Sequence, residues 1–154
     1  DVLLLFGGGL SLSAMFTATG LSLWIGEKAK GLASLPMILL ILAVAALVLI
    51  LTELTSNTAT AATFLPIMGG VAVGIGLTDA TEMNVMLLAI PVALAATCAF
   101  MLPVATPPNA IAYSSGYVTM GEMIKGGVWL NAIAMVLITL ATYFIAVPVF
   151  GLVL

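Results

Sequence analysis

The groups in this chain that can do chemistry are hydroxyls, amides and one misplaced acid. Two short polar strings interrupt long apolar runs: Thr52-Glu53-Leu54-Thr55-Ser56-Asn57-Thr58-Ala59-Thr60 and, about 50 residues later, Ala105-Thr106-Pro107-Pro108-Asn109. Ser, Thr and Asn satisfy backbone groups that a broken helix leaves free. Their oxygens suit a hard cation such as sodium, and the same side chains donate hydrogen bonds to a carboxylate. Glu53 is an acid beside a membrane break, which makes it a functional hypothesis by default. It stands three residues before Ser56 on one helical face, and the sequence leaves its role open between ion or proton coupling and a partner in a lysine or the headgroups. The five other acids lie at the chain start or in expected loops and read as solvated.

What the chain lacks narrows the chemistry further. Histidine is absent and Cys98 is the single cysteine, which removes the usual base for a Ser or Cys nucleophile, an internal disulfide and a multi-cysteine metal site. An intramembrane hydrolase built on Ser56 would need a lysine base. Lys28, Lys30 and Lys125 all lie far from it in polar stretches, so an enzyme is not expected. Gly7-Gly8-Gly9 is followed by no Gly-Lys-Ser/Thr ending and is not a phosphate loop; its small residues suit close helix approach. The net charge of -3 removes the basic surface that nucleic acids require.

The elements that must position these residues are membrane helices. With 64% hydrophobic and 6% charged residues and a mean hydropathy of +1.36, the chain is far from a soluble domain, where about 25% of residues are charged. Its apolar runs are continuous rather than alternating, which selects an all-α polytopic membrane protein over a β-barrel. The nine methionines and the aromatics in these runs read as packing or lipid-facing.

The run from Leu35 to Leu77 would reach roughly 65 Å as one helix, twice a hydrocarbon core of about 30 Å. It must therefore turn, and the Ser-Asn-Thr string is the only place able to support the turn. Residues 1–34 read as a membrane helix, with Trp24 as an interface anchor, and a charged connecting segment; 35–77 as a hairpin opened by Ser34 and Pro36. Residues 82–116 read as a helix running to about Val104, broken at two consecutive prolines; 123–154 as a terminal membrane helix with its apolar part from about Val128. Three lysines give no orientation. The chain opens on Asp1 without a leader-like region and reads as a piece of a longer polypeptide. A structural subunit with no site is the remaining alternative; two breaks inside apolar runs argue against it, because irregular backbone at membrane depth must be buried in protein or line a cavity.

At these strings the sequence resembles the divalent anion/sodium symporter family, the INDY-type transporters of dicarboxylates and citrate. The resemblance rests on Thr52 to Ala59 and on Cys98-Ala99-Phe100-Met101-Leu102-Pro103-Val104-Ala105-Thr106-Pro107-Pro108-Asn109-Ala110-Ile111. The order Phe-Gly-Gly-Gly, charged loop, Ser-Asn-Thr, Thr-Pro-Pro-Asn-Ala extends it across the chain as that family's C-terminal half. It implies one inverted-repeat half, with a re-entrant hairpin tipped by Ser-Asn-Thr and a discontinuous helix. It further implies substrate contacts from Ser56, Asn57, Thr58, Thr106 and Pro107, and one sodium ion held by oxygens of Thr52, Thr55, Asn57 and Ala105. Sodium-coupled symport of a di- or tricarboxylate across the cell membrane is then expected, with a sodium- or proton-coupled carrier of an inorganic oxyanion such as sulfate as the alternative. An N-terminal half with its own Ser-Asn-Thr tip, a homodimeric partner and the lipid bilayer are the expected company.

Overall fold

The computed structural model describes residues 34–77 and 82–153, with scattered positions between 7 and 31. The expected first helix and most of its charged connection lie outside the described residues, as does most of the polar turn near Asp79. The described elements are all helical: α1 (Met37–Leu54), α2 (Asn57–Gly74), a short 3-10 turn (Glu82–Val85), α3 (Met86–Ala95), α4 (Pro107–Ser114) and α5 (Met120–Ala141). A π turn (Thr142–Ala146) carries α5 into a last helical turn, Val147–Phe150.

Two of these helices, α1 and the one running from Met120 to Phe150, are long and apolar enough to cross a membrane. At 18 residues, α1 is about 27 Å long, close to a hydrocarbon core. Its inner stripe is Leu40, Val44, Ala45, Val48 and Leu49, at helical spacing. That stripe meets Met68, Val71 and Ala72 of α2, Leu88, Val92 and Ala95 of α3, and Ile138 of α5. Helix α3 packs against both α1 and α2, and α5 lies along α1. Leu39, Leu47 and Ile50 face outward, as expected of a helix that is apolar on all sides.

Several boundaries differ from the sequence expectations, each for a local reason. Ser34 does not cap α1; its hydroxyl donates back to the Gly31 carbonyl, 2.9 Å away, and Pro36 supplies the entry. Helix α5 starts well before Val128 because Thr119 and Glu122 form a reciprocal capping box at its N-terminus. Helix α2 keeps Pro66 in its interior and is closed by Gly76 at φ +83°, a left-handed position that favours glycine. The largest difference is at α3, which ends at Ala95 rather than near Val104. The second break therefore spans residues 96–106.

Candidate functional site

The first break is short. The Thr55 hydroxyl bonds back to the Leu51 carbonyl at 3.0 Å, its backbone is extended, and α2 restarts with the Ser56 carbonyl accepting from the Thr60 amide at 2.8 Å. Thr55 and Thr60 also pair their hydroxyls. Ser56 sits at the N-cap of α2 without making a side-chain cap bond, so its hydroxyl, on an exposed residue, is not used by the helix it begins. Thr58 is likewise exposed.

The second break is long and its polar groups are used. Past Ala95 the chain tightens through bonds from the Thr97 amide to Leu94 (3.1 Å) and from the Cys98 amide to Ala95 (3.0 Å). The amides of Phe100, Met101 and Leu102 then turn away from any helix and donate to the Glu53 carboxylate at 2.8 to 3.1 Å. Glu53 is 4% exposed and receives a further bond from Asn131 Nδ2 of α5 at 2.7 Å. Of the readings the sequence left open, a lysine partner and the headgroups therefore do not describe it. On the far side of the break Asn109 Nδ2 donates to the carbonyls of Ala99 (2.9 Å) and Leu102 (3.1 Å). Thr106 caps α4 by accepting from the Asn109 amide, and Pro107 and Pro108 occupy the first helical positions, where no amide is required.

The two breaks meet. Thr52, fully buried on α1, has its hydroxyl 2.8 Å from both Asn57 Oδ1 and the Ala96 carbonyl, and Asn57 Nδ2 reaches the Thr97 carbonyl at 3.5 Å. One hydroxyl proton serves two acceptors here. This leaves a nest of oxygens short of donors, an arrangement a hard cation completes. Beside it lies a hollow of about 530 Å³ lined by Ser56, Asn57, Thr58, Ala105, Thr106 and Pro107, with Thr97, Ala99, Phe100, Pro108 and Asn109. Thr55 borders an adjoining hollow of about 490 Å³ that shares Ser56, Ala105, Thr106 and Pro107. Every site residue expected from the sequence lies on one of these hollows or, in the case of Thr52, directly behind Asn57.

A match to the family described as the sodium:sulfate symporter transmembrane region spans residues 1–151. The chain belongs to that family. It is 46% identical over 151 residues to the sodium-dependent dicarboxylate transporter SdcS of Staphylococcus aureus, covering 98% of this chain and 28% of that protein. It is 42% identical over 151 residues to SdcS of Staphylococcus saprophyticus, with the same coverage. The chain thus spans little more than a quarter of the length of these relatives. It is a helical membrane protein of a transporter family, as composition and the two long apolar helices had indicated.

Sequence reasoning did not find Ala96 and Thr97, whose carbonyls meet the first break, or Asn131. Backbone carbonyls carry no side-chain signal. Asn131 had a faint one, as a lone amide within an apolar helix, where polar side chains hold neighbouring helices together.

Proposed function

We propose that this chain is the C-terminal half of a sodium-coupled symporter for a di- or tricarboxylate, working by alternating access in the cell membrane. The observation that carries the reading is the convergence of two helix breaks, far apart in sequence, on one polar hollow beside a donor-poor oxygen nest. Broken helices meeting in this way are how secondary transporters hold ions and substrates. Sodium is assigned to Thr52 and Asn57, with carbonyls of the second break and of Thr55 completing the shell; the Thr55 hydroxyl is already engaged, and Ala105 is buried at the rim. Ser56, Asn57, Thr58, Thr106 and Pro107 are assigned to the anion. Residues 35–77 then form a re-entrant hairpin, residues 82–116 the discontinuous helix, and 123–154 the terminal span of one inverted-repeat half. An N-terminal half supplies a matching tip, and two copies form the dimer.

That the relatives are named sodium-dependent dicarboxylate transporters favours a dicarboxylate. The family description favours sulfate as the second reading. Electrostatics gives a test that covers both. The chain has no arginine, and its three lysines lie outside both polar strings, so neither string offers a dianion a side-chain cation. A helix N-terminus supplies about half a charge and about 1–2 kcal/mol at best, too little to desolvate two carboxylates. Bound sodium supplies the rest. In the full-length protein, succinate and sulfate titrated in sodium and in choline at matched ionic strength should bind only in sodium, with sodium and anion each favouring binding of the other. Equal affinity in the two salts overturns sodium coupling, and the preferred anion decides between the cargoes.

A further inference from the structure

The second break is gripped from three sides by residues that the ion and anion assignments do not use. Glu53 of α1 takes the amides of Phe100, Met101 and Leu102. Asn131 of α5 braces the same carboxylate at 2.7 Å, while its Oδ1 is buried without a partner. Turning that amide over would set oxygen against oxygen, so Glu53 alone fixes its orientation. One turn before Asn131, on the same face of α5, Gly127 touches the break directly. A Cβ built there would lie 2.6 Å from Met101 Cα and the Phe100 carbonyl oxygen and 2.7 Å from the Met101 amide, so only glycine permits the approach. Its neighbour Gly126 has open space at the same position.

We propose that Glu53, Gly127 and Asn131 form a positioning clamp that fixes the second break so that its Ala96 and Thr97 carbonyls stay against Thr52 and Asn57, setting sodium affinity without touching the ion. The mechanism follows from peptide planarity. In a trans peptide the N–H and the preceding C=O point in opposite directions across one rigid plane. Fixing the Phe100 amide on Glu53 therefore also fixes the Ala99 carbonyl, which accepts from Asn109 at the start of α4. Glu53 and Thr52 are adjacent on α1, so the group that anchors the loop and the hydroxyl that meets the Ala96 carbonyl move as one body. Helix α5 closes the third side through Gly127 and Asn131. A site held within fractions of an ångström by such supports loses function when they shift.

The clamp rests on the reading that Thr52 and Asn57 hold sodium, and the test separates the two. Binding of radioactive sodium to the purified full-length protein is measured for Gly127→Ala, Asn131→Ala, Asn57→Ala and the control Gly126→Ala. Gly127→Ala and Asn131→Ala should raise the half-saturating sodium concentration about tenfold, equivalent to about 1.4 kcal/mol, while Gly126→Ala matches wild type. Asn131→Ala adds no bulk, so it carries the test if Gly127→Ala does not fold. A support that served stability alone would lower the unfolding temperature and leave the sodium affinity of the folded fraction unchanged. That outcome, with Asn57→Ala still losing sodium, overturns the clamp and leaves the site standing. Wild-type affinity in Asn57→Ala overturns the site and the clamp together.

Discussion

Between Leu54 and Asn57 the helix is interrupted only by Thr55 and Ser56; between Ala95 and Pro107 it is interrupted across residues 96–106. The short break engages the Thr55 hydroxyl but leaves that of Ser56 without a cap bond, with Thr58 exposed beside it, so the last two side chains remain available to something outside the chain. The long break uses its amides on Glu53, its carbonyls on Asn109 and Thr52, and its cap on Thr106. Non-helical backbone in a membrane must be satisfied somewhere. A two-residue break needs little help, whereas a long one needs a dedicated acceptor, and here that acceptor is a buried carboxylate on the neighbouring helix. The short break thus leaves the Ser56 and Thr58 side chains unused within the chain, while most of the long break is held in place by its own bonds.

The severest way to break this contrast is Glu53→Ala. It leaves the amides of Phe100, Met101 and Leu102 and the Asn131 side chain without their acceptor. Each buried donor stranded in this way costs about 1–3 kcal/mol. Heat unfolding of the full-length variant in detergent should shift down steeply, with loss of transport. A thermal midpoint like that of wild type would show that water or another chain already serves those amides.

This dependence also explains what could be read from the sequence. Both breaks were legible, because Ser-Asn-Thr and Pro-Pro are local instructions: one offers hydrogen bonds in place of the helix, the other removes backbone donors. The start of the long break was not. Pro103 is a local stop, but Cys98 to Leu102 before it looks like apolar helix, and what holds its amides out of a helix is Glu53, 47 residues away from Phe100. No local pattern encodes that contact. The start of α5 was missed: Thr119 and Glu122 have the spacing of a capping box, but the polar composition around them reads as a loop. Gly127 carried no signal separating it from Gly126; only the packing of α5 on Met101 distinguishes the two.

A smaller effect sharpens the contrast between the breaks from within the site. Ser56 makes no cap bond, whereas Thr106 accepts from Asn109 at the head of α4. Ser56→Ala should leave the unfolding temperature unchanged while weakening anion binding in the full-length protein. Thr106→Ala should also lower stability, by about 0.5–2 kcal/mol, the usual value of a cap. If both variants lost the same stability, the Ser56 hydroxyl would itself be holding the fold and would not be free for a ligand.

The smallest effect belongs to the two prolines. Pro107 and Pro108 look like the cause of the break, since each lacks an amide and the ring bars helical angles in the residue before it. Were they the cause, replacing both with Ala would let α3 extend toward α4 and draw the surrounding carbonyls into ordinary helical bonds. The structure argues otherwise. The chain has already left the helix at Ala96, well before either proline, and the intervening amides are held by Glu53 and packed beneath Gly127. Both prolines also stand at the first positions of α4, where the amides an Ala would restore have no helical partner to find. The double variant Pro107→Ala, Pro108→Ala is therefore expected to keep the break open and to change stability by no more than about 2 kcal/mol, about 0.4–1 kcal/mol for each proline, through the added freedom of the unfolded chain. Radioactive sodium binding to the purified full-length variant is the measurement, because Pro107 is assigned to the anion and uptake would report that contact as well. Sodium affinity near wild type is the expected result. Lost sodium binding, with the protein still folded, would return control of the break to the prolines and reduce the Glu53 contacts to a consequence of it.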